Sequence, residues 1–191
     1  MPAPSSEKGR QRREQILDAA AALLVESGYA GFSGRGIAER LGMRLSNVQY
    51  YFATPADILS ALFARELERA RAAFDARPGA DLQALVGMLL DAQHDDANCR
   101  VFWELWALAA RDRAIADIME RFYQRYRDAV AALIAEALPG VAEATRRRRA
   151  TLIVAMIEGL SLFRSGHDRA LRREAIAAAA ALARGAPPAE G

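Results

Sequence analysis

Residues 33–52 read SGRGIAERLGMRLSNVQYYF, and this stretch decides the fold of the N-terminal part of the chain. Ser33 is a good helix N-cap, and Gly42 permits a tight turn between two short helices. The inward apolar residues are Ile37, Ala38 and Leu41 in the helix Gly34 to Leu41, and Val48 and Phe52 in and after the helix Leu45 to Tyr51. Two short helices joined by a glycine-containing turn form the unit that places its second helix in the DNA major groove.

Helices are predicted on both sides of this unit. Before it, the apolar residues from Arg13 to Ser27 form a single stripe, and Gly28 is the expected C-cap. After it, Thr54-Pro55-Ala56-Asp57 combines an N-cap threonine, a proline at the first helical position and an acid at the third. This is a capping-box start for a helix to about Ala76. We therefore assign residues 8–53 to a three-helix domain.

The remainder of the chain is predicted to be helical as well. Its apolar residues recur with a period of 3.6, and Pro-Gly pairs at 78–79 and 139–140 interrupt the pattern. The predicted segments are Asp81 to Gln93, Val101 to Ala110, Arg113 to Ala137, Val141 to Ser165 ending at Gly166, and Asp168 to Arg184. No sustained period-2 run occurs in the sequence, so the expected fold class is all-α. Residues 54–185 form a larger helical domain, whose first helix, 54–76, links it to the first domain.

The composition restricts the class of protein. Of 191 residues, 52% are hydrophobic and 26% are charged, which is typical of a globular chain rather than a disordered one. The sequence has no apolar run of about 18 residues, and Met1 to Glu14 is too polar for a secretory signal. The single cysteine, Cys99, forms no internal disulfide and suits a reducing compartment. The expected location is the cytoplasm.

The net charge of +2 is too small to indicate nucleic acid by itself, but the charge is unevenly distributed. The first thirteen positions hold a single acid, Glu7, and four basic residues, Lys8, Arg10, Arg12 and Arg13. This basic arm either lies along DNA phosphates or is a disordered, solvated terminus, and charge alone does not decide between the two.

The segment RREQILDAAAALLVESGYAGFSGRGIAERLGMRLSNVQYYF, residues 12–52, resembles the DNA-binding domain of TetR-type transcriptional regulators. The similarity extends over about residues 10–65. Its most specific features are the spacings of a small residue, a turn glycine and an apolar residue, Ala38, Gly42 and Val48. The resemblance implies a sequence-specific DNA-binding regulator. It also implies a repressor, because members of this family usually repress transcription.

Two later segments resemble, less specifically, the ligand-sensing domain of the BetI-like branch of this family. They are FWELWALAARD at 102–112 and IEGL at 157–160. The chain also departs from the family at two positions that concern individual DNA contacts. Many relatives have a lysine near the position of Pro55 and a histidine at the position of Tyr51.

The outward face of the second helix of the unit is predicted to reach base edges in the major groove. The residues on this face are Arg44, Leu45, Ser46, Asn47 and Gln49. Asparagine and glutamine pair with adenine, arginine pairs with guanine, and leucine meets a thymine methyl group. The resemblance implies that the hydroxyls of Tyr50 and Tyr51 bind phosphate, with core packing as the alternative for Tyr51. Further phosphate anchors are expected near helix starts, at Ser33, Arg35 and Thr54, where Thr54 also caps its helix.

The resemblance also implies a homodimer through the last two helices, because a single helix-turn-helix reads too few bases to be selective. Two-fold symmetry then places the two recognition helices about 34–36 Å apart on a palindromic operator. The small residues of Ala175 to Ala181 allow two helices to approach closely. The alternative is a helix pair that packs only within its own domain.

A small-molecule effector of unknown identity is implied as well, bound within the effector-binding and dimerisation domain, residues 54–185. The candidate pocket residues are aromatic or methionine side chains: Met88, Phe102, Trp103, Trp106, Phe122, Tyr123, Tyr126 and Met156. The alternative for these residues is ordinary core packing. His94 and Glu104 are candidates for orienting a polar ligand.

Two other functions compete with DNA binding. An enzyme is disfavoured, because His94 and His167 lie far apart and the sequence has no P-loop, dinucleotide fingerprint or G-x-S-x-G elbow. No cofactor and no metal are therefore expected. The second competitor is a helical interaction module that has lost DNA binding, and a steep salt dependence of DNA affinity argues against it.

Overall fold

The computed structural model describes residues 6–76, 81–92, 96–163 and 169–185, and these ranges are almost entirely helical. The helices are α1 (Glu7–Gly31), α2 (Gly34–Arg40), α3 (Leu45–Tyr51), α4 (Pro55–Asp75), α5 (Leu82–Ala92), α6 (Asp96–Ala109), α7 (Arg113–Ala137), α8 (Glu143–Leu160) and α9 (Arg169–Arg184). A short 3-10 helix, Ser161–Phe163, follows α8. The described ranges contain no β-strand, and the all-α prediction is confirmed.

Most helix bounds agree with the sequence pattern, and α3 and α7 have the predicted ends. The start of the first helix differs. It begins at Glu7 instead of Arg13, because the Ser6 side chain accepts a hydrogen bond from the backbone N–H of Gly9 at 3.1 Å and caps an earlier turn. From Glu7 onward, the basic segment is therefore helix and not a disordered arm.

The later helices also differ at their ends. The helix predicted to run from Val141 to Ser165 is shorter, since α8 begins at Glu143 and gives way to the 3-10 helix at Ser161. Before α5, the carboxylate of Asp81 accepts a hydrogen bond from Ala84 N at 2.9 Å, as expected for a cap. Some predicted features lie outside the described residues: the Pro78-Gly79 break, His94, the Gly166 helix end, His167 and the Asp168 helix start.

The chain forms two compact units, and the first comprises Met1–Glu66 and Arg100–Phe122. Its core is apolar, with fully buried side chains from five of its helices: Ile16, Ile37, Ile58, Leu59, Leu105 and Ile115. Arg65 on α4 is also buried, at 8% exposure. It donates hydrogen bonds to Asp18 at 2.8 Å and to Glu14 at 3.2 Å, so ion pairs join α4 to α1.

A kink in α1 determines where the helix-turn-helix begins. Gly28 has φ 62° and ψ −173°, a region of backbone conformation that is essentially restricted to glycine. Directly after it, Tyr29 N donates a hydrogen bond to the carboxylate of Glu104 on α6 at 3.0 Å. The pKa of Tyr29 is raised, first by burial and then by the charge of Asp112. Helix α6 is thus joined to the segment that leads into α2.

The second unit comprises Leu67–Cys99 and Tyr123–Gly191, and within it α9 packs against both α5 and α8. Arg172 on α9 donates two hydrogen bonds to the carboxylate of Asp91, both at 2.9 Å, and one to the carbonyl of Gly87 at 3.3 Å. Arg149 on α8 donates to the carbonyl of Ala183 at 2.7 Å. These contacts orient α9 within the unit.

The alanine-rich face of α9 is partly used inside this unit. Ala175, Ala179 and Ala180 are buried, whereas Ala177 and Ala178 are exposed. Because alanine side chains are short, the buried alanines let the backbone of α9 lie close to other helices of its own chain.

None of the described helices is long and apolar enough to cross a bilayer.

Replacing Gly28 by alanine is expected to lower the free energy of unfolding by about 1–3 kcal/mol, because a Cβ is strained at this φ and ψ. The new Cβ would also lie 2.5 Å from Glu104 Oε2. Gly140→Ala is the matched control, since a Cβ at Gly140 meets no atom within 4 Å. Urea unfolding followed by circular dichroism measures both variants, and equal midpoints for the two would contradict the strained conformation.

Candidate nucleic-acid interface

Local hydrogen bonds define the two helices of the unit and the turn between them. The Ser33 hydroxyl accepts a hydrogen bond from Gly36 N at 3.1 Å and caps α2. Helix α2 ends in a Schellman motif, in which Met43 N donates to Ala38 O at 2.9 Å and Gly42 N donates to Glu39 O at 3.1 Å. Gly42 has φ 60°, as this motif requires. The turn that the sequence predicts is therefore present.

The recognition helix α3 has one buried side and one exposed side. Val48 and Phe52 are 1% and 4% exposed, and they pack into the core of the first unit. The guanidinium of Arg13 lies 4.3 Å from the centroid of the Phe52 ring, a cation–π contact between α1 and the C-cap of α3. Ser46, Asn47, Gln49 and Tyr50 are exposed on the opposite side. The predicted base-reading face is therefore accessible within the unit.

Two grooves flank α3. The first groove has a volume of about 670 Å³ and contains four predicted DNA contacts together with one residue of α1: Arg44, Asn47, Tyr50, Tyr51 and Arg12. The second groove, of about 400 Å³, contains five more predicted contacts: Ser33, Arg35, Leu45, Gln49 and Thr54. Ser46 is exposed but lines neither groove. The structure thus brings nine of the ten predicted DNA-contacting residues to the two sides of one helix.

The arginines near the grooves fall into paired and unpaired groups. Arg40 donates two hydrogen bonds to the carboxylate of Glu26, both at 2.7 Å, which lowers the pKa of Glu26. Within the described part of the chain, Arg12, Arg35 and Arg44 form no ion pair. All three line a groove beside α3, so positive charge is concentrated there.

Thr54 and Asp57 form a reciprocal cap at the start of α4. Asp57 N donates to the Thr54 hydroxyl at 3.1 Å, and Asp57 Oδ2 accepts from Thr54 N at 2.9 Å and from the Thr54 hydroxyl at 2.8 Å. Both donors of Thr54 are therefore engaged by Asp57. The Ser33 hydroxyl, in contrast, accepts its capping bond from Gly36 and retains its own proton for another acceptor.

The residues predicted to bind an effector fall into both compact units. Phe102, Trp103, Trp106 and Phe122 belong to the first unit, and Met88, Tyr123, Tyr126 and Met156 belong to the second. In the first unit, the rings of Phe102 and Phe122 lie 5.3 Å apart, and Phe63 on α4 lies 5.3 Å and 5.1 Å from them. Phe63 was not predicted as a site residue, although it belongs to the apolar stripe of α4 that the sequence shows.

Polar groups accompany the tyrosines of the second unit. The hydroxyl of Tyr123 donates a hydrogen bond to Glu158 Oε2 at 3.0 Å. Tyr126 is buried, and burial together with the nearby charge of Glu158 raises its pKa well above the ordinary range. Glu158 lies in the IEGL segment but was not itself predicted as a site residue. Glu104, predicted to orient a polar ligand, accepts the Tyr29 N–H through Oε1.

The described ranges contain no group of three or more His, Cys, Asp or Glu side chains placed to hold a metal ion. Cys99 is buried within the second unit.

Comparison with known proteins identifies both parts of the chain. Residues 16–62 match the family described as bacterial regulatory proteins, tetR family. Residues 78–185 match the family described as BetI-type transcriptional repressor, C-terminal.

Individual relatives agree with these matches. An uncharacterized HTH-type transcriptional regulator in the dhlA 5′ region of Xanthobacter autotrophicus is 31% identical over 166 residues, covering 81% of this chain and 80% of the relative. The HTH-type transcriptional regulator BetI of Paraburkholderia phymatum is 29% identical over 160 residues, covering 79% and 80%. Among solved structures, a TetR transcription regulator from Haloarcula marismortui has a TM-score of 0.67 and 22% identity, covering 93% of this chain and 98% of that one.

These relatives are transcriptional regulators, a class of proteins that are typically not enzymes. The two family matches together cover the helix-turn-helix and most of the helices that follow it. This chain therefore belongs to the TetR family and is a DNA-binding transcriptional regulator with a BetI-type C-terminal region.

Proposed function

We propose that this regulator represses transcription by binding a palindromic operator as a homodimer, and that a small-molecule effector releases it. The observation that carries the proposal is the exposed polar side of α3, flanked by two grooves whose arginines form no ion pair with any described residue. An α-helix fits the DNA major groove, and unpaired cations beside it attract the phosphates.

The proposed base contacts lie on α3 and at its N-cap. Arg44 pairs with guanine O6 and N7, while Asn47 and Gln49 pair with adenine N6 and N7. Leu45 meets a thymine methyl group, and Ser46 hydrogen-bonds to either a base donor or a base acceptor. Each bidentate pair discriminates against a wrong base by about 1–3 kcal/mol.

The proposed phosphate contacts lie around this helix. Tyr50 is 69% exposed, and its ring meets that of Tyr51 edge-on at 5.0 Å, so Tyr50 is accessible to a phosphate. Ser33 and Arg35 at the start of α2 anchor the backbone from the second groove. Thr54 contributes by van der Waals contact only, because Asp57 already accepts from both of its donors and a backbone phosphate has no proton to donate to its hydroxyl oxygen.

Regulators of this family typically bind operator DNA as dimers. In this chain we place the dimer interface on α8 and α9, because large apolar side chains remain exposed on and between them. Leu152, Leu162, Phe163 and Leu171 are between 40% and 69% exposed. A Cβ at Gly159 of α8 meets no atom within 4 Å, so a second helix has room to approach there. Pairing with the same surface of a second copy forms a four-helix bundle.

The family also binds small-molecule effectors. We keep the eight aromatic and methionine residues as the proposed effector-contacting set: Met88, Phe102, Trp103, Trp106, Phe122, Tyr123, Tyr126 and Met156. An effector releases DNA when it prefers the conformer whose recognition helices are wrongly spaced. A tenfold loss of DNA affinity requires about 1.4 kcal/mol of such coupling.

Selection of tight sites from random duplex DNA with the purified protein, at two salt concentrations, tests the proposed function. An enriched palindrome whose half-site centres are separated by one helical turn, or by a multiple of it, is the expected result. Affinity for this site should fall steeply as the salt concentration rises. Absence of enrichment at both salt concentrations would overturn the proposal.

Two substitutions on α3 should have different effects on the selected operator. Gln49→Ala should remove about 1–3 kcal/mol of discrimination at one base pair of each half-site, because it removes a base-reading group. Tyr50→Phe should weaken binding of all sequences alike, by about 0.5–1.5 kcal/mol for each protomer, because it removes only a phosphate-binding hydroxyl. Fluorescence anisotropy with single-base operator variants measures both effects.

Gln83→Ala is the control for these measurements, because Gln83 is an exposed glutamine on α5 in the second unit. It should leave both affinity and base preference unchanged. If Gln49→Ala also keeps the wild-type base preference, α3 is not the reading helix.

Leu152→Glu should convert the dimer to a monomer, because it places a charge in an apolar interface at a cost of about 2–4 kcal/mol. Val25→Glu is the matched control, since Val25 is an exposed apolar residue on α1, at 43% exposure. Sedimentation velocity over a range of protein concentrations distinguishes the two variants. A Leu152→Glu protein that remains dimeric like the control would place the interface elsewhere.

A further inference from the structure

Three arginines at the start of α1 have different surroundings, although they carry the same charge. Arg10 is ion-paired with Glu7 on the same helix. Arg13 lies over the ring of Phe52. Arg12 is exposed, lines the first groove, and forms no ion pair with the described part of the chain. Of these three guanidinium groups, Arg12 alone lines the groove beside α3 and has no ion-pair partner among the described residues.

The position of Arg12 is constrained by its neighbours. Ser6 caps α1, so residues 7–13 are helical and their side chains leave the helix in set directions. The contact between Arg13 and Phe52 holds this part of α1 beside the C-cap of α3. Consequently, Arg12 is held next to the recognition helix by local structure and not by a flexible arm.

The groove that Arg12 lines is suited to an anion. Its lining includes a second unpaired arginine, Arg44, and side-chain donors from Asn47, Tyr50 and Tyr51. None of the described residues that line it is acidic. Two guanidinium groups without a neighbouring carboxylate attract phosphate, and the arginine fork binds phosphate oxygens in a bidentate manner.

We propose that Arg12 is a further DNA-contacting residue, which binds a backbone phosphate beside the bases read by Arg44 and Asn47. This inference rests on the proposed function, since it assumes that α3 occupies the major groove. A phosphate contact from α1 strengthens binding to every sequence equally and specifies no base. In the dimer, each half-site gains one such contact.

The test compares Arg12→Gln with Arg10→Gln in the full-length protein. Both variants remove one positive charge from the first two turns of α1, but only Arg12 lines the groove, whereas Arg10 is ion-paired. DNA affinity is measured by fluorescence anisotropy on the selected operator over a series of salt concentrations. Thermal unfolding of both variants is recorded in parallel.

Arg12→Gln should lower the affinity about tenfold for each lost contact, or about a hundredfold for the dimer, as expected for loss of a charged hydrogen bond in each half-site. The slope of log affinity against log salt concentration should become shallower by about 0.9 for each lost phosphate contact, or about 1.8 per dimer. Base preference and thermal midpoint should be unchanged. Arg10→Gln should keep the wild-type slope, and Arg12→Lys should restore most of the slope because it keeps the charge.

Wild-type affinity and slope in Arg12→Gln would overturn this inference while leaving the proposed function intact. An equal loss of slope in Arg10→Gln would also overturn it, because the effect would then follow net charge and not position. A wild-type protein that binds no duplex DNA would overturn the proposed function itself, and this inference with it.

Discussion

At Gly28 the backbone of α1 adopts φ 62° and ψ −173°, and the following amide N–H, that of Tyr29, donates to the carboxylate of Glu104 at 3.0 Å. The two partners are 75 residues apart in the chain. Because a Cβ at position 28 would collide with that carboxylate, the junction needs both the conformational freedom and the small size of glycine. The path from α1 into the helix-turn-helix is therefore set by a residue on α6. Helix α6 also carries Trp103 and Trp106, which are two of the proposed effector contacts. An effector that bound them and displaced α6 would therefore act on this junction.

Charge in the first unit is divided between structural and accessible groups. Arg65 is buried and joins α4 to α1 through Asp18 and Glu14, and Arg40 pairs with Glu26. These pairs orient helices. Each pair also neutralises a cation that would otherwise add to the surface potential. The arginines without a partner in the described chain, such as Arg44, line the grooves beside α3. A net charge of +2 therefore does not describe the field that DNA would meet, because that field depends on which cations are already paired.

The candidate effector residues illustrate how far side-chain type predicts a role. Phe102 stacks on Phe63 and Phe122 lies tilted against it, and this ring cluster is compatible with both core packing and contact with an effector. Tyr123 differs, because its hydroxyl has a defined acceptor in Glu158. This part-buried hydroxyl is paired with a carboxylate, and such polar pairs orient ligands or specify packing. Aromatic type and helical spacing are the same in both cases, so the sequence pattern does not distinguish them.

The sequence alone determined the features that depend on neighbouring residues. The turn at Gly42, the cap at Ser33, the Thr54–Asp57 cap and the bounds of α3 and α7 follow from local chemistry, and all are present in the structure. Only the tertiary structure decided which arginines are paired, which side of α9 is buried, and that Glu104 meets Tyr29. These depend on contacts between residues far apart in the chain, and residue type and periodicity carry no information about which distant partner a side chain meets. The family resemblance supplied the role of α3, whereas its accessible face and its grooves are properties of the folded unit.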